Sequence, residues 1–208
     1  MAYQFDGSSQ YLEVSSAVAN RPCTLAASAY LNAIDEANDI CSVCSKTTLS
    51  VLRINIGGGG QFRIADQGNV NAVANGSIVS AGQWSHFAGV FASGSSRTAY
   101  TNGIAGTEQT TTVASIAPTF TSIGAFFPGN TTPVQFFNGR IAEVGFWNVA
   151  LTSAEIASLA KGFTCNQVRP QSLVFYAPLV NLLRDEADAK TIANNGGATV
   201  ANHPRVYT

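Results

Sequence analysis

The chain has 208 residues, of which 11 are Lys or Arg and 12 are Asp or Glu, so its formal charge is −1. Charged residues make up only 11% of the chain, against roughly 25% in an average soluble domain. This balance excludes a nucleic-acid binder with a basic groove, because such a groove needs clustered Lys and Arg. Hydrophobic residues make up 46%, too many for a disordered chain. No apolar run approaches the roughly 20 residues of a membrane span.

The N-terminal sequence MAYQFDGSSQYLEV alternates like a strand from its start. It has neither the basic beginning nor the apolar stretch of a secretory signal, so we expect synthesis in the cytoplasm. Cys41 and Cys44 form a CxxC motif, but a zinc ribbon needs a second pair. On a strand these two side chains point to opposite faces, and buried free thiols are the expected state. A disulfide through Cys23 or Cys165 remains open.

Short segments rich in β-branched and aromatic residues recur along the chain, separated by Gly, Asn, Ser and Thr. Strands are predicted at 3–5, 11–14, 24–31, 40–44, 49–56, 61–65, 84–91, 97–101, 120–123, 139–147 and 173–178. Turns are predicted at Asp6-Gly7, 57–60, Asn75-Gly76, Asn102-Gly103 and Asn138-Gly139, where the residue types tolerate a positive φ. Many strands at close spacing indicate an all-β, two-sheet antiparallel jelly-roll sandwich.

One short helix is predicted at 153–161. Thr152 and Glu155 have the spacing of a capping box, in which each side chain accepts a hydrogen bond from the other's backbone N–H. Lys161 suits the negative end of the helix dipole, and Gly162 suits a left-handed cap. We expect the role of these residues to be structural.

Three stretches, in this order, carry a family resemblance: QFDGSSQYLEV at 4–14, GQWSHFAGVF with RTAYTNG within 82–103, and FNGRIAEVGFWNVALTSAEIASL at 137–159. Together they resemble the laminin-G-like and pentraxin-like domains of the concanavalin A-like lectin/glucanase superfamily, over about residues 1–163. The resemblance implies two antiparallel sheets packed as a jelly roll. Residues 171–208 look like a segment that precedes the first stretch in this family. We therefore expect 164–208 to complete the same sandwich, giving one domain over 1–208.

Trp84 and Phe87 lie three positions apart, an odd step, so a regular strand places them on opposite faces. Trp84 is interpreted as a core anchor, with contact to a ligand as the alternative. His86 shares the face of Trp84 and is expected to be a hydrogen-bonded structural residue. Glu143 is expected to be a hydrogen-bond partner in the scaffold, or the ion-pair partner of Arg140.

The superfamily includes glycoside hydrolases, which need two carboxylates that face each other across the scissile bond. Glu143 stands alone on its strand, without the paired acids of the glucanase branch. The pairs Asp35-Glu36 and Asp185-Glu186 are chain neighbours in loops, so their side chains diverge. A nucleophile elbow of the Gly-x-Ser-x-Gly type is also missing from the sequence. The sequence therefore predicts that the protein is not an enzyme.

The resemblance also implies calcium at the rim of the sandwich, and Asp6 is the best match, with Asn38-Asp39 second. A calcium site needs six to eight oxygen ligands, and the chain is poor in acids. We favour the alternative that Asp6 stabilises its own turn. No cofactor is expected to be required, although calcium remains open.

The loop at 125–133 contains Phe126, Phe127 and Asn130. One of the two Phe side chains is expected to face outward, because loops between strands run over the surface. It could then contact a sugar, a neighbouring protein or its own sandwich, and these alternatives stay open.

Two functions are consistent with these observations. The first is a non-enzymatic structural or adhesive module on a virion, as a phage capsid decoration or tail accessory protein, packing as a dimer or trimer or on a particle lattice. The near-zero charge favours surface packing over electrostatic steering. The alternative is a lectin that binds a cell-surface glycan with or without calcium. Neither hypothesis involves nucleic acid or membrane insertion.

Overall fold

The computed structural model describes residues 1–16, 18, 20–34, 38–68 and 71–207. The acid pair Asp35-Glu36 of the sequence analysis lies outside these residues. The described part of the chain forms fifteen strands, one α-helix and three short 3₁₀ turns. The strands are β1 (Ala2–Asp6), β2 (Tyr11–Ser15), β3 (Cys23–Leu31), β4 (Asn38–Cys44), β5 (Val51–Ile56), β6 (Gln61–Gln67), β7 (Asn71–Ile78), β8 (Trp84–Ser93), β9 (Ser96–Thr101), β10 (Ile104–Ala105), β11 (Phe120–Ile123), β12 (Asn138–Trp147), β13 (Leu173–Ala177), β14 (Ala193–Asn195) and β15 (Thr199–Ala201). The helix is α1 (Ser153–Ala160), and the 3₁₀ turns are Gly58–Gly60, Cys165–Gln167 and Pro170–Ser172.

The strands form two antiparallel sheets, as the sequence predicts. Sheet I has the order β10-β9-β8-β3-β12-β1-β15, with β13 also paired to β12. Sheet II has the order β14-β2-β11-β4-β5-β6-β7. Strands that are consecutive in the sequence often lie in different sheets, as β1 and β2 do. This alternation between layers is the arrangement of a jelly-roll sandwich.

The main core lies between the two sheets. Strand alternation puts Phe87 and Phe91 of β8 on the inner face, where they meet Phe62 and Ile64 of β6 and the other residues of one large buried cluster. The rings of Phe62 and Phe87 lie 4.8 Å apart across the sandwich. The alternate residues of β8 point to the outer face of sheet I, which confirms that Trp84 and Phe87 lie on opposite sides.

Helix α1 covers part of the outer face of sheet I. Ile156 and Leu159 pack there with Ala88, Val90 and Trp147 in a second buried cluster. The predicted capping box is confirmed, because Thr152 and Glu155 exchange both hydrogen bonds. The helix ends at Ala160, one residue earlier than predicted, and Gly162 follows with a φ of 99°.

The sequence analysis missed four strands, β7, β10, β14 and β15. Asn75 and Gly76, predicted as a turn, lie inside β7. Asn138 and Gly139, also predicted as a turn, are the first two residues of β12. Gly139 has a φ of 150°, and a Cβ there would clash with the carbonyl oxygen of Tyr30. Its conformational freedom therefore serves close strand packing rather than a turn.

The last forty residues add strands to both sheets. β13 pairs with the second half of β12, β14 pairs with β2, and β15 pairs with β1. Between β14 and β15, Gly196 and Gly197 both have positive φ, and the chain there crosses from one sheet to the other. The start and the end of the described chain therefore lie side by side in the sandwich.

Removing the helix cap should destabilise the fold by a small and measurable amount. Thr152→Ala removes the hydroxyl that accepts from the Glu155 N–H, which typically costs about 1 kcal/mol. Chemical denaturation monitored by circular dichroism measures the loss in the free energy of unfolding. Thr107→Ala, at an exposed threonine outside the helix, is the matched control. An equal, negligible effect of both changes would contradict the assigned role of Thr152.

Candidate ligand-binding cleft

Two rows of side chains cross the outer face of sheet I beyond the edge of helix α1. The first row is Trp84, Tyr30, Arg140 and Gln4, which are successive partners across four strands. Trp84 and Tyr30 rings lie 5.9 Å apart, and the Arg140 guanidinium lies 4.5 Å from the Tyr30 ring centroid. Arg140 stacks here and donates to Gln4 at 3.2 Å. It does not pair with Glu143, so the ion-pair alternative for Glu143 is wrong.

The second row contains smaller side chains and forms the floor of a cavity. It consists of His86, Ser28 and Ala142, which are partners across three strands, and His86 and Ser28 line the cavity. Small residues between Trp84 and the end of helix α1 leave a cavity of about 190 Å³. We call it the Trp84 cleft, and its lining includes Ser28, Trp84, His86, Asn102, Lys161 and Arg205.

Trp84 is not a core anchor, contrary to the sequence interpretation. Its side chain is partly exposed at the wall of the cleft, whereas Trp147 is fully buried under helix α1. The Trp147 indole donates to the carbonyl of Val168 at 2.8 Å. Trp84 stands at the first position of β8, beyond the reach of the helix. Its face therefore remains available to a ligand.

His86 lies on the floor of the cleft and is 8% exposed. Burial lowers the pKa of His86 to about 4, so the imidazole is neutral at pH 7. Its Nδ1 has no hydrogen-bond partner among the described residues. The expectation of a hydrogen-bonded structural histidine is therefore wrong for the side chain. A buried imidazole nitrogen without a partner gains from any ligand group that hydrogen-bonds to it.

Asn102 fixes the edge of the cleft beside His86. Its Oδ1 accepts from the His86 backbone N–H at 2.8 Å, and its own N–H donates to the His86 carbonyl at 2.8 Å. The residue has a φ of 51° at the predicted Asn102-Gly103 turn, which is confirmed. With Oδ1 engaged by the backbone, the two amide N–H groups of Asn102 are its remaining polar atoms at the cleft.

Glu143 lies at the inner end of the cleft, where β12 has a bulge. It has a φ of 53° and is 7% exposed. Its Oε2 accepts from the Tyr176 hydroxyl at 2.8 Å, and its Oε1 lies 3.3 Å from His203 Nε2. Burial and the Glu143 charge together raise the pKa of Tyr176 well above its usual value. Glu143 is thus a hydrogen-bond partner in the scaffold, as the sequence predicts.

A second cavity of about 530 Å³ adjoins the Trp84 cleft. We call it the Glu143 pocket, and its lining includes Glu143, Tyr176, Pro178, Glu186, His203 and Val206. Glu143 and Val206 line both cavities. The two spaces are therefore separated only by a short stretch of the C-terminal segment.

That stretch, residues 202–207, is called the C-terminal strap. The Tyr207 N–H donates to the Gly162 carbonyl at 2.7 Å, and the Tyr207 and Phe163 rings lie 6.4 Å apart. Near the other end of the strap, His203 Nε2 lies 3.3 Å from Glu143 Oε1. The strap brings Arg205 to the mouth of the Trp84 cleft, opposite the end of β8.

The two calcium candidates are engaged in other interactions. Asp6 Oδ1 accepts from the N–H groups of Ser8, Ser9 and Gln10, and Oδ2 accepts from the Ser9 hydroxyl. Slight burial disfavours the carboxylate, but these hydrogen bonds outweigh it and hold the pKa of Asp6 below its usual value. The favoured alternative, a self-stabilised turn, is confirmed.

Asp39 is fully buried, and its Oδ1 lies 3.1 Å from Nε of Arg53. Burial raises the pKa of Asp39 to about 6, although the Arg53 charge opposes that shift. Asn38 Oδ1 accepts from the Asn138 N–H at 2.7 Å. Among the residues that the structure describes, no group of three or more His, Cys, Asp or Glu side chains could hold a metal ion.

The loop that carries the tentative ligand contacts faces inward. Phe126 and Phe127 are 7% and 1% exposed, so the expectation that one of them faces outward is wrong. They pack with Phe120 on the outer face of sheet II, and the Arg53 guanidinium lies 4.0 Å from the Phe126 ring centroid. Asn130 is exposed and accepts from the Thr132 N–H at 2.9 Å. This loop covers its own sandwich, one of the three alternatives.

All four cysteines are free and buried. Cys41 lies in the main core and Cys44 on the outer face of sheet II, as strand alternation predicts. Cys165 lines the Trp84 cleft from below, and its thiol donates to the Glu143 carbonyl at 3.4 Å. Burial raises the pKa of each of these thiols, so they are unreactive at neutral pH.

Sequence reasoning found Trp84 and His86 as a same-face pair but missed the cations of the cleft. Lys161 carried a signal only as a helix-end residue, and Asn102 only as a turn residue. Arg205 carried no signal, because nothing in the local sequence shows that the strap crosses the outer face of sheet I. Asp185, of the predicted surface acid pair, is instead fully buried and accepts from the Tyr176 N–H at 2.9 Å.

Residues 6–157 match a family model described as the concanavalin A-like lectin/glucanases superfamily. A search of curated proteins found no match. No helix in the described part of the chain has the length and apolar character needed to cross a membrane.

Several solved structures share the fold. A native heptameric SAP-like pentraxin from Limulus polyphemus has a TM-score of 0.72 at 15% identity, with 97% of this chain and 94% of that chain covered. The CBM40 domain of Ruminococcus gnavus IT-sialidase, bound to α2,3-sialyllactose, has a TM-score of 0.61 at 11% identity, with 77% and 98% covered. Domain 4 of the arabinanase AbnA from Geobacillus stearothermophilus, in complex with arabinotriose, has a TM-score of 0.60 at 17% identity, with 76% of both chains covered. The similarity establishes a shared sandwich fold, and two of these neighbours carry sugars and come from enzymes.

The burial of His86 predicts a pH dependence of stability. Its pKa is about 4 in the folded protein and about 6.5 when unfolded. The unfolded state therefore binds more protons between these values, so this contribution is present above pH 6.5 and is lost as the pH falls towards 4. On going from pH 7 to pH 4.5, the wild type should lose roughly 2 kcal/mol more unfolding free energy than His86→Gln.

Urea denaturation at both pH values measures this difference, and groups unrelated to His86 cancel in the comparison. His203→Gln, at the other of the two histidines, is the control and should keep the loss attributed to His86. A wild-type pH dependence that survives in His86→Gln would contradict the assignment.

Proposed function

Because this chain belongs to the concanavalin A-like lectin/glucanases superfamily, we propose that it is a non-enzymatic glycan-binding module that holds a sugar in the Trp84 cleft. One observation carries the proposal. A partly exposed tryptophan stands at the wall of a cavity whose floor holds a buried histidine nitrogen without a described partner.

The cleft offers the two kinds of contact that a sugar uses. The indole of Trp84 provides an apolar face against which the C–H groups of a pyranose ring can pack. His86, Asn102 and Ser28 provide polar groups at the floor and the edge, where ring hydroxyls can donate and accept. A concave site with one aromatic wall and a few converging polar groups is the usual form of a small-ligand site.

The charges of the cleft favour binding over hydrolysis. Glycoside hydrolysis uses two carboxyl groups on either side of the scissile bond. Among the described residues that line the Trp84 cleft, Glu143 is the one carboxylate, and the Tyr176 hydroxyl already engages it. The CBM40 and arabinanase neighbours carry sugars on the same fold, which supports a sugar ligand here.

We further propose that binding does not require calcium. The Asp6 carboxylate holds its own turn through four hydrogen bonds, and Asp39 is buried against Arg53. Neither has free oxygens at the Trp84 cleft. EDTA should therefore leave glycan binding unchanged.

A glycan array on the purified protein, run with calcium and again with EDTA, tests this proposal. Wild type should bind a defined subset of glycans equally in both arms. Trp84→Ala should weaken binding by roughly 10-fold or more, because it removes the stacking surface. Ile78→Ala, at an exposed residue elsewhere, should bind like wild type. Silence of the wild type on an array with working controls would overturn the proposal.

A second candidate function is packing on a larger assembly such as a virion, as a dimer, a trimer or a lattice element. Ile104 and Ile78 favour it, because they are 67% and 71% exposed on neighbouring edges of the two sheets. Those edges meet where the Ser77 N–H donates to the Thr101 hydroxyl, and Thr101 is the strand partner of Ile104. Exposed apolar side chains on adjoining edges are typical of contact surfaces between proteins.

Light scattering coupled to size-exclusion chromatography tests this second function. The wild type should form a defined dimer or trimer, and Ile104→Ser should shift it towards the monomer because it removes apolar contact area. Leu182→Ser, at a residue that is 72% exposed in another loop, is the control. A wild type that stays monomeric at high concentration would contradict homotypic packing.

A further inference from the structure

We propose that the ligand of the Trp84 cleft is an anionic sugar, whose carboxylate or sulfate group is held by Lys161 and Arg205. This inference rests on the proposed function and names the class of ligand. It follows from the charges, donors and acceptors that line the cleft.

Three charged side chains line the cleft, and their charges do not balance. Lys161 and Arg205 are exposed at its mouth, and neither has an ion-pair partner among the described residues. Glu143 is the one negative group among the described lining residues, and its Oε2 is already engaged by the Tyr176 hydroxyl. The mouth of the cleft therefore presents two unmatched positive charges.

This local excess is not the result of a basic protein. The whole chain carries 11 cationic and 12 anionic side chains. Six of those cations are engaged elsewhere in described ion pairs, at Arg21, Lys46, Arg53, Arg97, Arg169 and Lys190. Arg140 is stacked on Tyr30 in the row beside Trp84 and adds a third cation near the same face. Of the five cations outside the described ion pairs, Lys161 and Arg205 line the cleft and Arg140 lies beside it, whereas Arg63 and Arg184 lie elsewhere.

Three carbonyl groups in the last turn of helix α1 are engaged and do not compete for these charges. Its last-turn carbonyls accept from the N–H groups of Lys161, Gly162 and Phe163, at 3.1, 2.9 and 3.3 Å. The carbonyl of Gly162 in turn accepts from Tyr207. These four carbonyls are therefore already used, whereas the described hydrogen bonds include none to the carbonyls of Ala160 and Lys161.

The polar groups at the floor are also mainly donors. Asn102 has its Oδ1 engaged and offers two N–H groups, and the hydroxyl of Ser28 can donate or accept. A ligand rich in acceptor oxygens satisfies such a site best, and hydrogen bonds to an ionised acceptor are the stronger ones. The neutral imidazole of His86 adds no charge at the bottom of the cleft.

Calorimetric titration of the full chain with matched sugar pairs tests the inference. The pairs are sialyllactose against lactose, a glucuronate-terminated disaccharide against its glucose counterpart, and sulfated against unsulfated galactose. At least one anionic member should bind 10-fold or more tightly than its neutral partner, and the pair that does so identifies carboxylate or sulfate as the group. Raised salt should weaken that member, because charge attraction at an exposed mouth is screened.

Two variants and one control locate the charge. Lys161→Gln and Arg205→Gln should each weaken the anionic sugar by roughly 3- to 10-fold and leave its neutral partner unchanged. Lys46→Gln, on the outer face of sheet II and paired to Glu13, removes the same charge at a distance and should change neither.

The failures of the two proposals are distinguishable. Equal, Trp84-dependent binding of both members of every pair would overturn the anionic class and keep the glycan site. An equal loss in Lys46→Gln and Lys161→Gln would also overturn it, because the effect would be one of net charge. Binding of no member of any pair would overturn this inference, and silence of the wild type on the glycan array would overturn the proposed function as well.

Discussion

Strand β12 changes partners at Glu143, and the outer face of sheet I takes its shape from that change. Before the bulge β12 pairs with β1, and after it β12 pairs with β13. Glu143 adopts a left-handed backbone conformation there, which costs an L-residue about 1–2 kcal/mol. The bulge turns its carboxylate towards Tyr176 and His203. This single irregular residue thus contacts Tyr176 of β13, lies beside His203 of the C-terminal strap and lines both cavities.

The Trp84 cleft follows from this arrangement and from side-chain size. Helix α1 covers the large apolar side chains on the outer face of sheet I. The row of His86, Ser28 and Ala142 beyond the helix has smaller side chains, which leave space above them. The strap closes the far side and carries Arg205 to the mouth. Burial keeps His86 neutral. The floor of the cleft is therefore polar and uncharged, whereas its mouth carries the positive charges of Lys161 and Arg205. Under the proposed function, these two levels of one cavity are what selects among sugars.

Local patterns in the sequence predict some of this molecule and not the rest, for physical reasons. The alternation of a strand reveals that Trp84 and His86 share a face, but not whether that face is covered. Here the cover is a short helix that stops before Trp84, so the residue is a wall rather than a core anchor. For Phe126 and Phe127 the error is the opposite one. The sequence predicts that one of them is exposed, but both are buried because their loop folds back over sheet II. Arg205 reaches the site only through long-range pairing of the chain ends.

The most direct test of the account is to follow the two tryptophan indole N–H signals by NMR while a bound glycan is titrated in. Trp84 lines the cleft, whereas Trp147 is fully buried and donates to Val168. The account predicts that the Trp84 signal shifts in proportion to saturation and that the Trp147 signal stays in place. Saturable binding that leaves the Trp84 signal unmoved would contradict it, because the sugar would then lie elsewhere on the sandwich.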